Sequence, residues 1–177
     1  ALLAPWIVPY PEHVAGATDT AARFIAPGRE YWFGTNALGQ DMFSLVVAGS
    51  RVSLFSGLAV VAIAIVVGGM VGAVAGYFGG WLDEALMRLT DLLLTIPSLI
   101  LAMAVVAALG SGIGNMIIAI SITWWPAYAR LIRGEVMVKK EEQFVTAARA
   151  LGAGPGRILG RHILPNIVSP VVVKASL

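Results

Sequence analysis

Cysteine is absent from this sequence, which excludes a disulfide framework and any thiolate metal site. Charge is scarce as well: only 12% of the 177 residues are Asp, Glu, Lys or Arg, and the formal net charge of +2 is too small to suggest nucleic acid as a partner. The only histidines, His13 and His162, lie far apart in the chain, which argues against a shared metal or acid-base site. The lysines are Lys139, Lys140 and Lys174. None follows GAGPG at Gly152–Gly156 as a phosphate loop requires, so the chain is expected to bind no nucleotide, metal or cofactor and to have no catalytic residue. The first residues lack a basic stretch ahead of an apolar core and do not read as a signal peptide. What remains is apolar: 58% of residues are hydrophobic and mean hydropathy is +0.84, which marks an all-α membrane protein.

Ala1–Ile7, followed by Pro9 and Pro11, reads either as the tail of a first membrane helix or as a hydrophobic loop. Glu12 to Gly39 is polar and rich in turn residues, an expected loop outside the bilayer. Met42, Leu45 and Val46 fall on one side of Asp41–Ala48, which suggests a short interfacial helix. Val52–Leu82 carries no charge, enough for one tilted span and too little for two. Within it Gly68, Gly72, Gly76 and Gly80 recur every fourth residue and Ala64 extends the row. A face so bare of side chains suits close helix packing or, alternatively, a pore lining.

Asp83–Asp91 reads as a short connector, with Glu84 and Arg88 one helical turn apart. Leu92–Ala129 is uncharged for 38 residues, about 57 Å as a single helix and nearly twice a hydrocarbon core. Two spans are therefore expected, near Asp91–Leu109 and Ile113–Arg133, with the turn at Gly110–Gly114 and bends at Pro97 and Pro126. Ser98, Asn115, Ser121 and Thr123 are polar at span depth, yet such residues commonly bond helix backbone, and no substrate path can be assigned from them.

Charge asymmetry orients the chain. Arg130, Arg133, Lys139, Lys140, Arg149, Arg157 and Arg161 crowd one segment, whereas residues 1–50 hold only Arg23 and Arg29. The basic segment is expected in the cytoplasm, the first 50 residues outside and Asp83–Asp91 inside. Two parts follow: residues 1–50, with a helix end, external loop and interfacial helix, and residues 51–177, with three full spans, a cytoplasmic loop over 135–165 and the start of a further span. Pro165–Leu177 is too short to cross a bilayer, so the chain is expected to be incomplete at both ends.

That loop holds the most informative stretch, Glu141 to Pro165. Phe144, Ala147, Ala148 and Leu151 share a helical face, Glu141 and Glu142 suit its first turn, and Gly152, Gly154, Pro155 and Gly156 stop it. Ile158, Leu159 and Ile163 share a second face, and Pro165 stands where a new helix would begin. The predicted unit is helix, glycine turn, helix.

Here the sequence resembles the integral membrane permeases of bacterial ABC importers, whose shared loop reads EAA, three residues, G, nine residues, I, one residue, LP. Thr146, Ala147, Ala148, Gly152, His162, Leu164 and Pro165 occupy those positions. Thr146 replaces the usual glutamate, and His162 at the Ile position is similar to the dipeptide and oligopeptide branch. GTNALGQD at Gly34–Asp41, GYFGGWLDEALMRLTD at Gly76–Asp91 and WPAYARLIRGEV at Trp125–Val136 also resemble that branch, and its C-type subunit in particular.

The resemblance implies a polytopic helix bundle of the type I importer fold in the bacterial cytoplasmic membrane. It also implies that Phe144, Thr146, Ala147, Ala148, Arg149, Leu151, Gly152, His162, Leu164 and Pro165 couple the chain to an ATPase. The implied partners are a second homologous permease, two ATP-binding cassette subunits that hold ATP and Mg, and an extracytoplasmic solute-binding protein. Di- or oligopeptides would be the cargo, moved by alternating access; nickel or another small solute is the alternative within the branch. An ATP-independent channel or carrier would be expected to place ionisable residues inside the spans, and none occurs in Val52–Leu82 or Leu92–Ala129. A membrane scaffold would have no use for the amphipathic loop.

Overall fold

The computed structural model describes residues 4–175, and among them the chain is helical, with no strand. Two units pack separately, residues 1–58 and 59–177. In the first, α1 (Ala4–Ile7) and α2 (Pro11–Val14) precede a 3₁₀ turn at Thr20–Ala22. Of the expected helix tail, residues 4–7 are helical, and residues 1–3 lie outside the described residues.

GTNALGQD is a folded corner. Asn36 accepts hydrogen bonds from the Leu38 and Gln40 amides on Oδ1 at 2.8 and 3.0 Å, the local turn that this side chain favours. Thr35 Oγ1 donates to the Ala22 carbonyl and accepts from the Ile25 amide. Gly34 and Gly39 have φ of +72° and +74°, left-handed values that a side chain disfavours. Buried Asp41 then caps the next helix, its Oδ2 accepting from the Ser44 amide and hydroxyl at 2.8 and 2.6 Å. His13 stacks on Tyr10 and accepts the Asp41 amide on Nδ1 at 3.0 Å. It is a scaffold residue of this corner.

Helix α3 runs over Met42–Phe78, 37 residues. The expected interfacial helix at 41–48 is therefore not separate: nothing between Ala48 and Val52 breaks a helix, since Gly49 costs only about 1 kcal/mol and Arg51 favours one. The span also stops earlier than Leu82. Gly79 and Gly80, with φ of +65° and +61°, turn the chain into α4, Gly80–Thr95.

Asp83–Asp91 thus lies within α4 and is no short connector. The expected span Asp91–Leu109 is a broken pair, in which α4 and α5 (Ser98–Leu109) meet at 91°. Pro97 forces the break by pushing Ile96 to extended backbone, φ −85° and ψ 126°. Pro126 lies buried inside α6 (Ile113–Lys139), which continues through it. Among the described residues α3 is the one helix long and apolar enough to cross a membrane alone, and the α4–α5 pair passes only together. The third expected span, α6, has the length, but Gly114, Asn115, Trp124, Trp125, Pro126 and Arg130 leave it less apolar.

After α6 come α7 (Gln143–Ala150) and a helical run from Pro155 to Ala175. That run begins as α8 (Pro155–Arg157), widens to a π-helix over Ile158–Ile163, tightens to a 3₁₀ turn at Leu164–Ile167 and ends as α9 (Val168–Ala175). Pro165 consequently starts no new helix. It sits inside a continuing one, where its missing N–H accompanies the change in winding.

Candidate functional site: the loop helix and its anchorage

The glycine row meets α6 backbone to backbone. A Cβ on Gly68 would lie 2.5 Å from the Trp125 carbonyl oxygen, one on Gly76 2.8 Å from that of Arg133, and one on Gly72 would overlap the Ala129 carbonyl while standing 3.0 Å from the Arg133 amide. Both rows advance four residues at a time, as two helix faces in register must. The row is thus a packing face, continued by fully buried Ala64. Gly80 is not part of it; its positive φ places it in the turn, with nothing within 4 Å of a Cβ. The polar residues of α6 are occupied locally. Ser121 and Thr123 donate to carbonyls of their own helix, and Asn115 Nδ2 donates to the Leu109 and Gly110 carbonyls that end α5.

At the far end of α6 the basic side chains reach neighbouring helices. Arg133 forms a two-pronged pair with Asp83 of α4, Nε to Oδ1 at 2.5 Å and Nη2 to Oδ2 at 2.6 Å. Arg130 pairs with Asp91 of α4 at 2.5 Å, and Lys140 Nζ donates to the Gly76 carbonyl in the last turns of α3 at 3.0 Å. Only the exposed Glu84–Arg88 pair was expected from spacing. The cross-helix pairs had a legible signal too: acids in Asp83–Asp91 and bases at Arg130 and Arg133 were both predicted on one side of the membrane.

Helix α7 begins at Gln143, three residues beyond Lys140, the cap of α6. Its end forms a glycine-terminated lock: the Gly152 amide donates to the Arg149 carbonyl and the Ala153 amide to that of Ala148, both at 3.0 Å, with Gly152 at φ +81°. This double closure satisfies the last carbonyls of a two-turn helix that would otherwise fray. Lys139 and Glu142, 2.6 Å apart, brace the entry.

The expected apolar face divides. Phe144, Ala147 and Leu151 are outward, Leu151 88% exposed. Ala148 is turned inward beside Val145, because its angle on the helix falls between the two faces and the inner one packs on a core of Val136, Ile158, Ile163 and Ile167. Val145 escaped the periodicity reading because the two buried residues of this short helix, Val145 and Ala148, are too few to set a pattern of their own. Thr146 and Arg149 are exposed, and the Thr146 hydroxyl lies 3.5 Å from the Glu142 carbonyl. His162 is half-buried, its carbonyl accepting from Asn166 Nδ2 at 2.6 Å; Leu164 and Pro165 are exposed. One element thus gathers Phe144, Ala147, Leu151 and Gly152 at its surface, while His162, Leu164 and Pro165 lie on the following run. Leu159, Leu164 and Val66 help to line an apolar groove of about 680 Å³ between that run and α3.

An apolar helical chain with a backbone-to-backbone helix seam and a charged loop at the seam's end has the character of a membrane helix bundle. The chain belongs to the family of binding-protein-dependent transport system inner membrane components, whose model matches residues 68–177. It is 42% identical over 176 residues to the probable D,D-dipeptide transport system permease protein of Escherichia coli, 99% of this chain and 58% of that protein. The dipeptide transport system permease protein of Alkalihalophilus pseudofirmus is 42% identical over 160 residues, 90% of this chain and 53% of that protein. A glutathione transport system permease protein of Escherichia coli is 44% identical over 173 residues, 98% of this chain and 56% of that one. The chain therefore spans little more than half the length of these relatives.

Proposed function

We propose that this chain is part of the membrane permease of an ATP-driven importer that carries di- or oligopeptides across the bacterial cytoplasmic membrane by alternating access. In this reading it crosses the bilayer several times, through α3, the bent α4–α5 pair and α6, with residues 135–165 in the cytoplasm and 12–39 outside. It works with a second homologous permease, an extracytoplasmic solute-binding protein and two ATPase subunits that hold ATP and Mg. The peptide cargo rests on the relatives, two of which are permeases of dipeptide systems.

The observation that carries the reading is the form of α7. A helix of eight residues closed at its C-terminal end by the Gly152 turn and braced at its entry by the Lys139–Glu142 pair, buried on Val145 and Ala148 and exposed at Phe144, Ala147 and Leu151, is built to present a surface rather than to connect two spans. A partner helix groove would cover that outer face, and Gly152 leaves the approach open, with nothing within 4 Å of a Cβ. In this proposal the outer face receives the movement of the ATPase pair. Gly152→Asp is the direct test, because aspartate tolerates left-handed backbone better than most residues, so that the fold survives while bulk and charge enter the docking face. Reconstituted with its partners, the variant is expected to stay in the membrane while solute no longer stimulates ATP hydrolysis and uptake falls. Parental uptake and hydrolysis in the variant would refute the coupling role of the loop.

A further inference from the structure

The charged end of α6 does more than satisfy its side chains. Within one stretch, Arg130 and Arg133 hold α4 through Asp91 and Asp83, Lys140 holds the last turns of α3 through the Gly76 carbonyl, and α7 begins three residues later. The Asp83–Arg133 pair is the strongest of these ties. It is two-pronged, a geometry that fixes orientation as well as distance, and its side chains are only 15% and 31% exposed, whereas both partners of the Arg130–Asp91 pair are half exposed. Packing agrees with the polar ties, since α7 rests through Val145 on the cluster that includes Val136 of α6 and Ala73 of α3. The flexible points lie outside the tied region. They are the Gly79–Gly80 turn at the start of α4 and the Ile96–Pro97 break at its end, where no continuous helix transmits bending.

We propose that Asp83 and Arg133 are positioning residues of the transport cycle: their pair makes α4 travel with α6 and α7, so that displacement of the loop helix swings α4 about its two flexible ends. The inference rests on the reading of α7 as the receiver of ATPase motion. A pair that served stability alone would have no reason to join the one helix bounded by a glycine turn and a proline break to the helix that leads into the loop. Removing the pair leaves α7 docked and able to regulate the ATPase, while α4 no longer follows.

The test separates hydrolysis from transport in the complete complex, reconstituted in proteoliposomes with its ATPases and solute-binding protein. Arg133→Gln and Asp83→Asn are expected to keep solute-stimulated ATP hydrolysis within about twofold of the parent and to lower uptake per ATP about tenfold, the range by which linking residues alter coupling. The exchanged pair D83R with R133D should recover most of the loss. Because the chain has no cysteine, D83C with R133C provides a second route: bridging these two thiols with a short bifunctional reagent should restore uptake per ATP, and it should also rescue assembly if the single variants assemble poorly. Parental uptake per ATP in the single variants, or a bridged protein that assembles and stays uncoupled, overturns the proposal. A parent complex that shows no ATP-driven uptake would instead overturn the importer reading on which it stands.

Discussion

Glycine serves two opposite purposes in this molecule. At the seam between α3 and α6, Gly72 has ordinary helical backbone and no room: a Cβ would meet the Ala129 carbonyl and the Arg133 amide. At the end of α7, Gly152 has ample room and unusual backbone, with nothing within 4 Å and φ of +81°. The seam needs the absence of atoms, because apolar lipid gives helices no hydrophobic reason to associate and close approach must supply dispersion contacts instead. The turn needs conformational freedom to close the helix. A substitution at the first site therefore acts on assembly, and one at the second acts on local strain and on whatever docks there.

The largest effect is expected at the seam. Gly72→Leu must push two backbones apart, because the obstructing atoms belong to main chain and cannot rotate away, so the cost should exceed the roughly 1–3 kcal/mol typical of overpacking. Loss of detergent-extracted folded protein measures it. Val66→Leu is the control, since Val66 is 58% exposed and borders the apolar groove, and near-parental yield is expected there. Equal yields for the two variants would break the contrast between a tight seam and an open surface.

A smaller effect sharpens the loop side. Ala148→Asp brings a carboxylate to a buried position beside Val145 on the inner side of α7, and should cost about 2 kcal/mol or more for a polar group without partners. Ala147→Asp, one residue earlier and exposed, should leave the melting temperature unchanged. Both variants, followed by thermal unfolding in detergent, show whether α7 has the inner and outer faces described. Equal destabilisation by both would mean that it does not.

The smallest expected effect is Gly152→Ala. No atom obstructs the new methyl group, so only the left-handed backbone is penalised, by about 1 kcal/mol, detectable as a small fall in melting temperature. A seam-sized loss would show that the turn is crowded by contacts absent from the chain alone.

Much of the loop could be read from residue order. The helix, the glycine that ends it and the second apolar face at Ile158 and Ile163 follow from local rules that act over four or five residues, and the structure preserves them. The seam could be read for a related reason, since a four-residue period of glycine places every bare position on one side whatever lies opposite. Gly80 misled because the same spacing continues past the point where Gly79 has already turned the chain. Ala148 misled because periodicity assigns an angle, and an alanine near the boundary belongs to whichever face has a neighbour to pack against.

By itself the sequence determined that the chain is helical and apolar, that glycine ends the loop helix and turns the chain at Gly110, and that charge collects at one end; each depends on the chemistry of a few adjacent residues. Only the tertiary structure decided which helix the glycine row meets, that Asp83 and Asp91 are held by Arg133 and Arg130, and that Ala148 faces inward. Those are pairings between residues far apart in the chain, 50 positions for Asp83 with Arg133, and such pairs are settled by which surfaces can approach closely enough to share atoms.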